Sequence, residues 1–166
     1  MTKKQRFLSR IGAIILLAVI AYIVDKPISY ASTDYIKVID GDTLLLNNKK
    51  VRLMGIDAPE SKQVCQTSEG RNYGCGKKAT MHLQYLIDKG NVQCDALEVD
   101  QYNRELVICK KGDMILNAHM VKDGWAVVYF NNRVSYRAEE LYAQKNKRGM
   151  WDGSFQTPQA YKREKR

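Results

Sequence analysis

Residues 35–54 read YIKVIDGDTLLLNNKKVRLM, and this stretch decides the fold. It contains three short runs of aliphatic and β-branched residues, at positions 35–39, 43–46 and 51–54. The letters DGD separate the first two runs and NNKK separates the last two, and both are typical of tight turns. The stretch therefore predicts a meander of three antiparallel strands.

The rest of the chain adds helices and two further strands to this meander. Residues 77–89 predict a helix that stops at Gly90, because apolar residues recur there at helical spacing. The apolar positions are Ala79, Leu83, Leu86 and Ile87. Further strands are predicted at 92–99 and 105–110, and further helices at 114–123 and 136–148. This order predicts an α+β fold, either a five-stranded OB-fold Greek-key barrel with three helices or another α+β arrangement.

The first 31 residues are predicted to be a secretory signal peptide. Four basic residues precede an apolar run at positions 11–24, and Ser29-Tyr30-Ala31 offers small residues at an A-x-A-like cleavage site. A membrane anchor is the alternative, but it needs roughly 20 apolar residues. We therefore expect an exported protein, periplasmic or secreted, that begins at Ser32. If the segment is not cleaved, the domain is anchored to a membrane outside the cytoplasm.

The chain then divides into three parts. Residues 1–31 are the signal peptide, 32–157 the OB-fold domain, and 158–166 a basic polar tail that is expected to be poorly packed.

The composition supports one folded domain with a polyanionic partner. Hydrophobic residues make up 45% of the chain and proline occurs only three times, which excludes a collagen-like or proline-rich disordered protein. The formal net charge is +9, and it is still +5 without the five bases and one acid of residues 1–31. Such an excess of positive charge favours nucleic acid or an acidic membrane surface as the partner.

The four cysteines are expected to form two disulfides, because exported thiols tend to pair. Cys65 and Cys75 flank a loop that contains glycine and serine. Cys94 and Cys109 lie equally far from a predicted turn at residues 100–103, so they face each other across a hairpin. No pair has the C-x-x-C spacing of a zinc site, and two buried pairs of free thiols are the alternative.

Four carboxylates and one arginine gather at predicted strand ends: Asp40, Asp42, Asp57, Glu60 and Arg52. Hard cations such as Ca²⁺ and Mg²⁺ prefer oxygen ligands of this kind. The spacing excludes an EF-hand, since Leu45 and Val51 stand where that loop needs glycine and glutamate. Each fragment alone is more often a turn than a site, so their joint occurrence carries the prediction.

Three blocks of sequence resemble the staphylococcal-nuclease-like (thermonuclease) family. They are VIDGDT at 38–43, RL at 52–53 leading to IDAPE at 56–60, and DQYNR at 100–104. GWA at 124–126 and RGMW at 148–151 are also similar to the C-terminal half of that family. The resemblance covers about residues 35–157. It implies an OB-fold barrel with three helices and Ca²⁺-dependent hydrolysis of phosphodiester bonds in DNA and RNA.

Within this resemblance, Arg52, Glu60 and Arg104 form the catalytic set. Hydrolysis of a phosphodiester needs a base for the attacking water and positive charge around the phosphate. Glu60 suits the base, and the arginines suit the phosphate because a guanidinium can bind two oxygens at once. His82 and His119 lie in predicted helices without a partner motif, so packing or surface roles are expected for them.

The same resemblance implies one Ca²⁺ ion, bound by the carboxylates of Asp42 and Asp57 and the backbone carbonyl of Ala58. Mg²⁺ or another divalent cation is compatible with these oxygen ligands. Tyr102 and Tyr129 would bind a terminal phosphate of the substrate. For Tyr129 a place in the core is the alternative, since it follows two valines.

Three positions depart from the family pattern. Ala58 stands where threonine is frequent, but a backbone carbonyl ligand does not need the threonine side chain. Asn103 stands where glycine is frequent, and asparagine tolerates left-handed backbone better than most residues. Gln101 replaces a lysine of some members, which would weaken contact with a terminal phosphate. Activity is expected to survive the departures at Ala58 and Asn103.

Two other functions fit the positive charge. One is a catalytically silent OB module that binds nucleic acid through a basic groove and aromatic stacking. The presence of Glu60 and both arginines favours the enzyme over this module. The other is a cell-envelope adaptor whose basic segment 133–148 meets acidic lipids, although two glutamates interrupt that segment. We expect a monomer that acts on DNA, RNA or both, without a stable protein partner.

Overall fold

The structure is a computed structural model that describes residues 28–30, 35–88, 90–129 and 134–165. The apolar run at 11–24, Ala31 of the predicted cleavage site and Arg133 of the predicted basic segment lie outside these residues. The strands are β1 Ile28–Tyr30, β2 Ile36–Asp40, β3 Thr43–Leu46, β4 Lys49–Leu53, β5 Ile56–Asp57, β6 Val64–Gln66, β7 Asn72–Gly74, β8 Gln93–Val99, β9 Glu105–Lys111, β10 Met114–Ile115 and β11 Val127–Val128. The helices are α1 Cys75–Ile87, α2 Leu116–Lys122, α3 Arg137–Lys145 and α4 Pro158–Glu164, with a 3₁₀ helix at Gly149–Asp152.

The described strands form one large sheet and two small pairs. The large sheet has the order β1-β8-β9-β4-β3-β2, and β10 also pairs with β9. Neighbouring strands are antiparallel except β4 and β9, which run parallel. β5 pairs with β11, and β6 pairs with β7. The large sheet curls into a half-barrel against which α1 and α2 pack, so the predicted α+β class is confirmed.

The five predicted strands are present as β2, β3, β4, β8 and β9, but the large sheet has more members than predicted. β1 and β10 extend it. These two strands are three and two residues long, too short for a periodic pattern to identify them. β1 lies within the segment predicted as a signal peptide and pairs with β8.

The hairpin of β8 and β9 has the predicted pairing near its open end. Cys94 lies opposite Cys109, and a disulfide joins them. The register shifts between Ala96 and Glu98, and a bulge of this kind bends the strand and increases its twist. The hairpin carries residues 100–104 at its tip.

The second predicted disulfide joins β6 to the start of α1, between Cys65 and Cys75. No cysteine is free in this structure. Two disulfides fit an oxidising compartment. Within residues 28–30, 35–88, 90–129 and 134–165, no helix has the length and hydrophobicity to cross a bilayer.

The core lies between the curled sheet and α1. This helix buries the apolar positions that the sequence placed on one face, Ala79, Leu83, Leu86 and Ile87. They pack in one cluster with sheet residues that include Leu44, Leu53 and Val107. The helix begins at Cys75 and ends at Ile87, two residues before each predicted bound.

The boundaries of two other helices also differ from the prediction. α2 begins at Leu116 because Met114 and Ile115 pair with β9 as strand β10. α3 ends at Lys145, and the chain then forms a separate 3₁₀ helix instead of continuing to residue 148.

Helix α4 corrects the prediction of three helices, because residues 158–164 of the predicted tail are helical. The Thr157 hydroxyl accepts a hydrogen bond from the N–H of Ala160 over 3.3 Å. Pro158 takes the first helical position, where a missing N–H is tolerated, and it is buried. Thr-Pro is a helix-start signal, but the basic composition of the segment suggested a tail instead.

Candidate active site

Asp42, Arg52 and Asp57 form a buried ion-pair cluster. Arg52 Nη1 donates to Asp42 Oδ1 over 3.1 Å, and Arg52 Nη2 lies 3.0 Å from Asp42 Oδ2. The same Nη2 donates to Asp57 Oδ1 over 2.5 Å. Asp42 is 3% exposed and Asp57 is 1% exposed. The guanidinium therefore balances two carboxylates that have almost no access to water.

The turn between β2 and β3 sets the position of Asp42. The Asp40 carboxylate accepts the Asp42 N–H over 3.1 Å, as in an Asx turn. A Cβ at Gly41 would lie 2.7 Å from the Ala58 Cβ and 2.8 Å from the Ala79 Cβ, so only glycine fits there. This close approach lets the N–H of Ala58 donate to Asp42 Oδ2 over 3.0 Å.

Burial controls the protonation behaviour of this cluster. It raises the pKa of Asp42 above its usual range, because the charge of Arg52 offsets the lost hydration only in part. Burial also lowers the pKa of Arg52, but the charges of Asp42 and Asp57 more than reverse this effect and raise it. Arg52 therefore stays charged.

Asp57 has one oxygen in two ion pairs and one oxygen without a partner. Oδ1 accepts from Arg52 and from Lys162 Nζ, the latter over 2.7 Å. Oδ2 is buried and makes no hydrogen bond to any residue that the structure describes. A buried carboxylate oxygen without a donor is costly to desolvate. It is a ready ligand for a hard cation.

Glu60 lies at the rim of the site, with 44% of its side chain exposed. Its backbone N–H donates to Gln63 Oε1 over 3.2 Å, and its carboxylate lies 3.1 Å from Lys162 Nζ. Gly76 permits this placement, since a Cβ there would lie 1.7 Å from the Glu60 carbonyl oxygen. A solvent-accessible carboxylate of this kind can accept a proton from water.

The tip of the β8–β9 hairpin holds Arg104 through Asp100. Asp100 Oδ1 accepts the backbone N–H groups of Tyr102 and Arg104, and Asp100 Oδ2 accepts Arg104 Nε over 2.8 Å. Burial raises the pKa of Asp100, but these hydrogen bonds outweigh that effect and hold it below the usual range. The Arg104 guanidinium also lies 5.4 Å from the Tyr102 ring centroid. Asn103 takes the left-handed backbone expected at this position, with φ of 59°.

One open cleft of about 980 Å³ brings the predicted residues together. It is lined by Asp42, Arg52, Asp57, Glu60, Tyr102, Arg104 and Tyr129, among others. Tyr129 is 46% exposed, so it is not a core aromatic. Ala58 is buried beside the cleft, where its N–H contacts Asp42. The two histidines of the chain are not among the cleft residues.

The sequence did not predict the contribution of α4 to this cleft. Gln159, Lys162 and Arg163 line it, and Lys162 contacts both Asp57 and Glu60. Burial lowers the pKa of Lys162, but the hydrogen bond to Asp57 and the charges of Asp57 and Asp42 together outweigh this effect and raise it. The Thr-Pro start of α4 was the available signal for the helix. No spacing in the sequence links Lys162 to Asp57.

The site offers a small donor set for a divalent cation. Among the residues that the structure describes, no three His, Cys, Asp or Glu side chains surround a common position. The available hard ligands are the carboxylates of Asp42 and Asp57, and Asp57 Oδ2 has no hydrogen-bond partner in the described part of the chain. These residues fit Ca²⁺ or Mg²⁺ by chemistry, if water and backbone carbonyls supply the other ligands.

The family model for staphylococcal nuclease homologues matches residues 50–153. The match covers more than half of the chain, so the chain belongs to this family, as its motifs predicted. The matched region contains Arg52, Asp57, Glu60 and Arg104. Asp42 precedes it, and the contacts with Arg52 and Ala58 are what join Asp42 to the same site.

Three relatives illustrate the range of the family. The succinoglycan biosynthesis protein ExoI of Rhizobium meliloti is 32% identical over 117 residues, which are 69% of this chain and 61% of that protein. A probable endonuclease, LCL3 of Kluyveromyces lactis, is 37% identical over 127 residues, 68% of this chain and 46% of that protein. An uncharacterized endonuclease of Haemophilus influenzae is 30% identical over 139 residues, 79% of this chain and 72% of that protein. The chain thus spans about half to three fifths of the first two relatives.

Proposed function

We propose that this protein is a Ca²⁺-dependent nuclease that hydrolyses phosphodiester bonds of DNA, RNA or both. The observation that carries the proposal is the convergence of Arg52, Glu60 and Arg104 with the buried Asp42 and Asp57 in one cleft. Family membership and the endonuclease names of two relatives support it. ExoI is named a succinoglycan biosynthesis protein, so the proposal rests on the site residues more than on names.

In this proposal Glu60 is the general base. Its exposed carboxylate takes a proton from water, and the water oxygen forms a bond to phosphorus as the bond from phosphorus to one sugar oxygen breaks. The departing sugar oxygen takes up a proton from solvent, and the proton on Glu60 is later released to solvent. A positioned carboxylate base typically contributes roughly two to four orders of magnitude in rate.

Arg52 and Arg104 bind the phosphate in two different ways. Arg104 is held by Asp100 and is 26% exposed, so it can turn a guanidinium edge towards a phosphate in the cleft. Arg52 is tied to Asp42 and Asp57 and presents positive charge from the floor of the cleft. Both charges favour the transition state, in which negative charge on the phosphate oxygens increases.

Asp42, Asp57 and the backbone carbonyl of Ala58 would hold Ca²⁺. The ion would supply further positive charge beside the phosphate. Tyr102 and Tyr129 are 60% and 46% exposed on the cleft and offer hydroxyl donors to a terminal phosphate. Asp100 acts as a positioning residue for Arg104, since it accepts three of the hydrogen bonds that shape the hairpin tip.

Cation depletion and add-back test this function. The purified protein is treated with chelator, dialysed, and incubated with supercoiled plasmid or single-stranded RNA in Ca²⁺, Mg²⁺ or chelator. We expect cleavage with Ca²⁺ and none with chelator. Retention of nucleic acid in a gel-shift assay without cleavage under any divalent cation would replace the nuclease by the silent binding module.

We also propose that the nuclease is an exported monomer with an OB-type barrel. The two disulfides support an oxidising compartment. Cleavage after Ala31 would remove strand β1 from the sheet, so the mature N-terminus also decides the sheet edge. Mass spectrometry of exported protein should find Ser32 first. An intact chain in the membrane fraction would instead indicate an anchor.

A further inference from the structure

Helix α4 brings an ammonium group into the carboxylate cluster. Lys162 Nζ lies 2.7 Å from Asp57 Oδ1 and 3.1 Å from Glu60 Oε1. Asp57 is almost fully buried, whereas about a third of the Lys162 side chain is exposed. Lys162 thus bridges the residue proposed to bind the cation and the residue proposed to act as base.

The base of α4 is fixed to the same framework as Glu60. Gln63 is fully buried, and both the oxygen and the nitrogen of its side-chain amide form hydrogen bonds. Its Oε1 accepts the backbone N–H of Glu60 over 3.2 Å, and its Nε2 donates to the backbone carbonyl of Gln156 over 2.7 Å. One buried side chain therefore positions both Glu60 and the residue just before the start of α4, which places Lys162 within reach of the cleft.

A second anchor lies just upstream of the helix. The backbones of Gln66 and Ser154 exchange hydrogen bonds over 2.9 and 3.1 Å. Pro158 is buried and Thr157 caps the helix. The anchors hold the segment before α4 in place. The helix itself has only seven residues, too few for stable helicity without tertiary contacts, so it is the part of this unit that can detach.

Because of the charges in the cleft, Lys162 and a divalent cation compete for the carboxylate of Asp57. Lys162 and Arg52 both use Oδ1 of Asp57, and Arg52 also pairs with Asp42. A divalent ion bound to Asp57 would stand within a few ångströms of the ammonium, in a place where burial weakens screening of their repulsion.

We propose that Lys162 is a tethered competitor that lowers the affinity of the cleft for divalent cations, and that cation binding displaces α4 from Asp57 and Glu60. The proposal rests on the proposed function, because it takes Asp57 as a ligand of the cation. Cleavage would then require a minimum concentration of divalent cation. Below it, Lys162 is paired with the carboxylates of Asp57 and Glu60, so the proposed base is held in an ion pair.

Cation affinity of the full chain tests the competition without an activity assay. Ca²⁺ is titrated by calorimetry, and Tb³⁺ by luminescence, into the wild type, Lys162→Met, Lys162→Gln and Lys165→Met. Lys165 is the matched control, since it follows the same helix, is exposed and lies near the Tyr161 ring instead of the cleft. Circular dichroism checks that each variant is folded.

We expect both Lys162 variants to bind Ca²⁺ about tenfold more tightly than the wild type, because a charge-assisted hydrogen bond no longer has to be broken. Lys165→Met should match the wild type. Hydrogen exchange in the wild type should become faster at residues 159–164 when Ca²⁺ is added. Equal or weaker Ca²⁺ binding by the Lys162 variants, or unchanged exchange in α4, overturns the competition and leaves the nuclease proposal in place. Absence of Ca²⁺ binding in all four proteins overturns both.

Discussion

Two arginines share the cleft, but their surroundings differ. Arg52 has 15% of its side chain exposed and lies between two buried carboxylates. Arg104 has 26% exposed and pairs with Asp100, which lies at the hairpin tip. Arg52 therefore holds the fold together in addition to the phosphate-binding role proposed for it, whereas the ion pair of Arg104 with Asp100 lies outside the buried cluster.

Replacing each arginine by lysine separates these two roles. We expect Arg104→Lys and Arg52→Lys each to slow cleavage by roughly 100- to 1,000-fold, because an ammonium cannot reproduce the guanidinium fork. Arg52→Lys should also lower the free energy of unfolding by about 1–3 kcal/mol, since buried carboxylate oxygens lose donors. Arg104→Lys should change it by less than about 1 kcal/mol. Single-turnover cleavage and urea unfolding measure the two effects.

Arg71→Lys is the control for this pair, because the Arg71 side chain is exposed and forms its ion pair with the equally exposed Glu69. It should behave as the wild type in both measurements. If Arg52→Lys kept full stability, the structural role of Arg52 would have to be abandoned.

The four carboxylates that the sequence singled out all line the cleft, and the reason is local. Asp40, Asp42, Asp57 and Glu60 stand at strand ends in fixed spacings, so a short motif specifies them. Lys162 belongs to no such motif. It meets Asp57 across 105 residues through packing around Gln63 and Gln156, and one-dimensional patterns do not carry that information.

The strands and helices differ in the same way: some are predicted by their local sequence, and others form only through contacts with distant parts of the chain. The first three main strands are short runs of aliphatic and β-branched residues separated by turn residues, the other two flank a predicted turn, and α1 has apolar residues at helical spacing, so the sequence predicted them. Strands β5 and β11 have two residues each and exist because they pair with each other. That pairing sets Asp57 opposite Val127, two residues before Tyr129. The sequence therefore predicted the framework of the cleft, but not the short pair that joins its two sides.

The disulfide in the β8–β9 hairpin should serve stability more than chemistry. Replacing Cys94 and Cys109 together by alanine opens a loop with a sequence separation of 15. The free energy of unfolding should fall by about 3 kcal/mol. Cleavage at 25 °C should change only a few-fold, because the strand ladder still holds residues 100–104. Urea unfolding and plasmid cleavage measure both quantities.

The disulfide between Cys65 and Cys75 lies closer to the proposed base than the hairpin disulfide does. Cys75 begins α1 next to Gly76, which packs against the Glu60 carbonyl. Replacing Cys65 and Cys75 by alanine should therefore impair cleavage more than the hairpin pair does. If loss of the Cys94–Cys109 disulfide impaired cleavage more than loss of the Cys65–Cys75 disulfide, the argument that the Cys65–Cys75 disulfide supports Glu60 would be wrong.

At the scale of the whole molecule, one acidic residue ties three parts of the fold together. Asp123 follows α2, and its two oxygens contact His82 of α1 and Arg148, each over 3.0 Å. The hydrogen bond to His82 lowers the pKa of Asp123; partial burial opposes this effect, and Arg148 reinforces it. This network explains the role of one histidine outside the cleft.

The lowered pKa of Asp123 gives stability a defined pH dependence. A carboxyl group with a lower pKa in the folded state stabilises the fold above its unfolded pKa of about 3.9, and this contribution is lost as the pH falls through the folded value. Asp123→Asn should therefore be less stable than the wild type at pH 5, and the two should converge towards pH 2. Urea unfolding at half-unit pH steps measures this.

Asp113→Asn is the control, since Asp113 is exposed in the turn after β9. Its stability curve should run parallel to that of the wild type. If the Asp123→Asn curve also stayed parallel down to pH 2, Asp123 would not be the group that links stability to pH.

The central claim is that this chain cuts nucleic acid with Glu60 as the base. The most direct measurement compares single-turnover plasmid cleavage by the wild type, Glu60→Gln and the exposed control Glu69→Gln at saturating Ca²⁺, with DNA and Ca²⁺ binding measured on the same preparations. We expect Glu69→Gln to match the wild type, and Glu60→Gln to be slower by roughly 100- to 10,000-fold while it still binds DNA and Ca²⁺. Equal cleavage rates for the wild type and Glu60→Gln would contradict the claim.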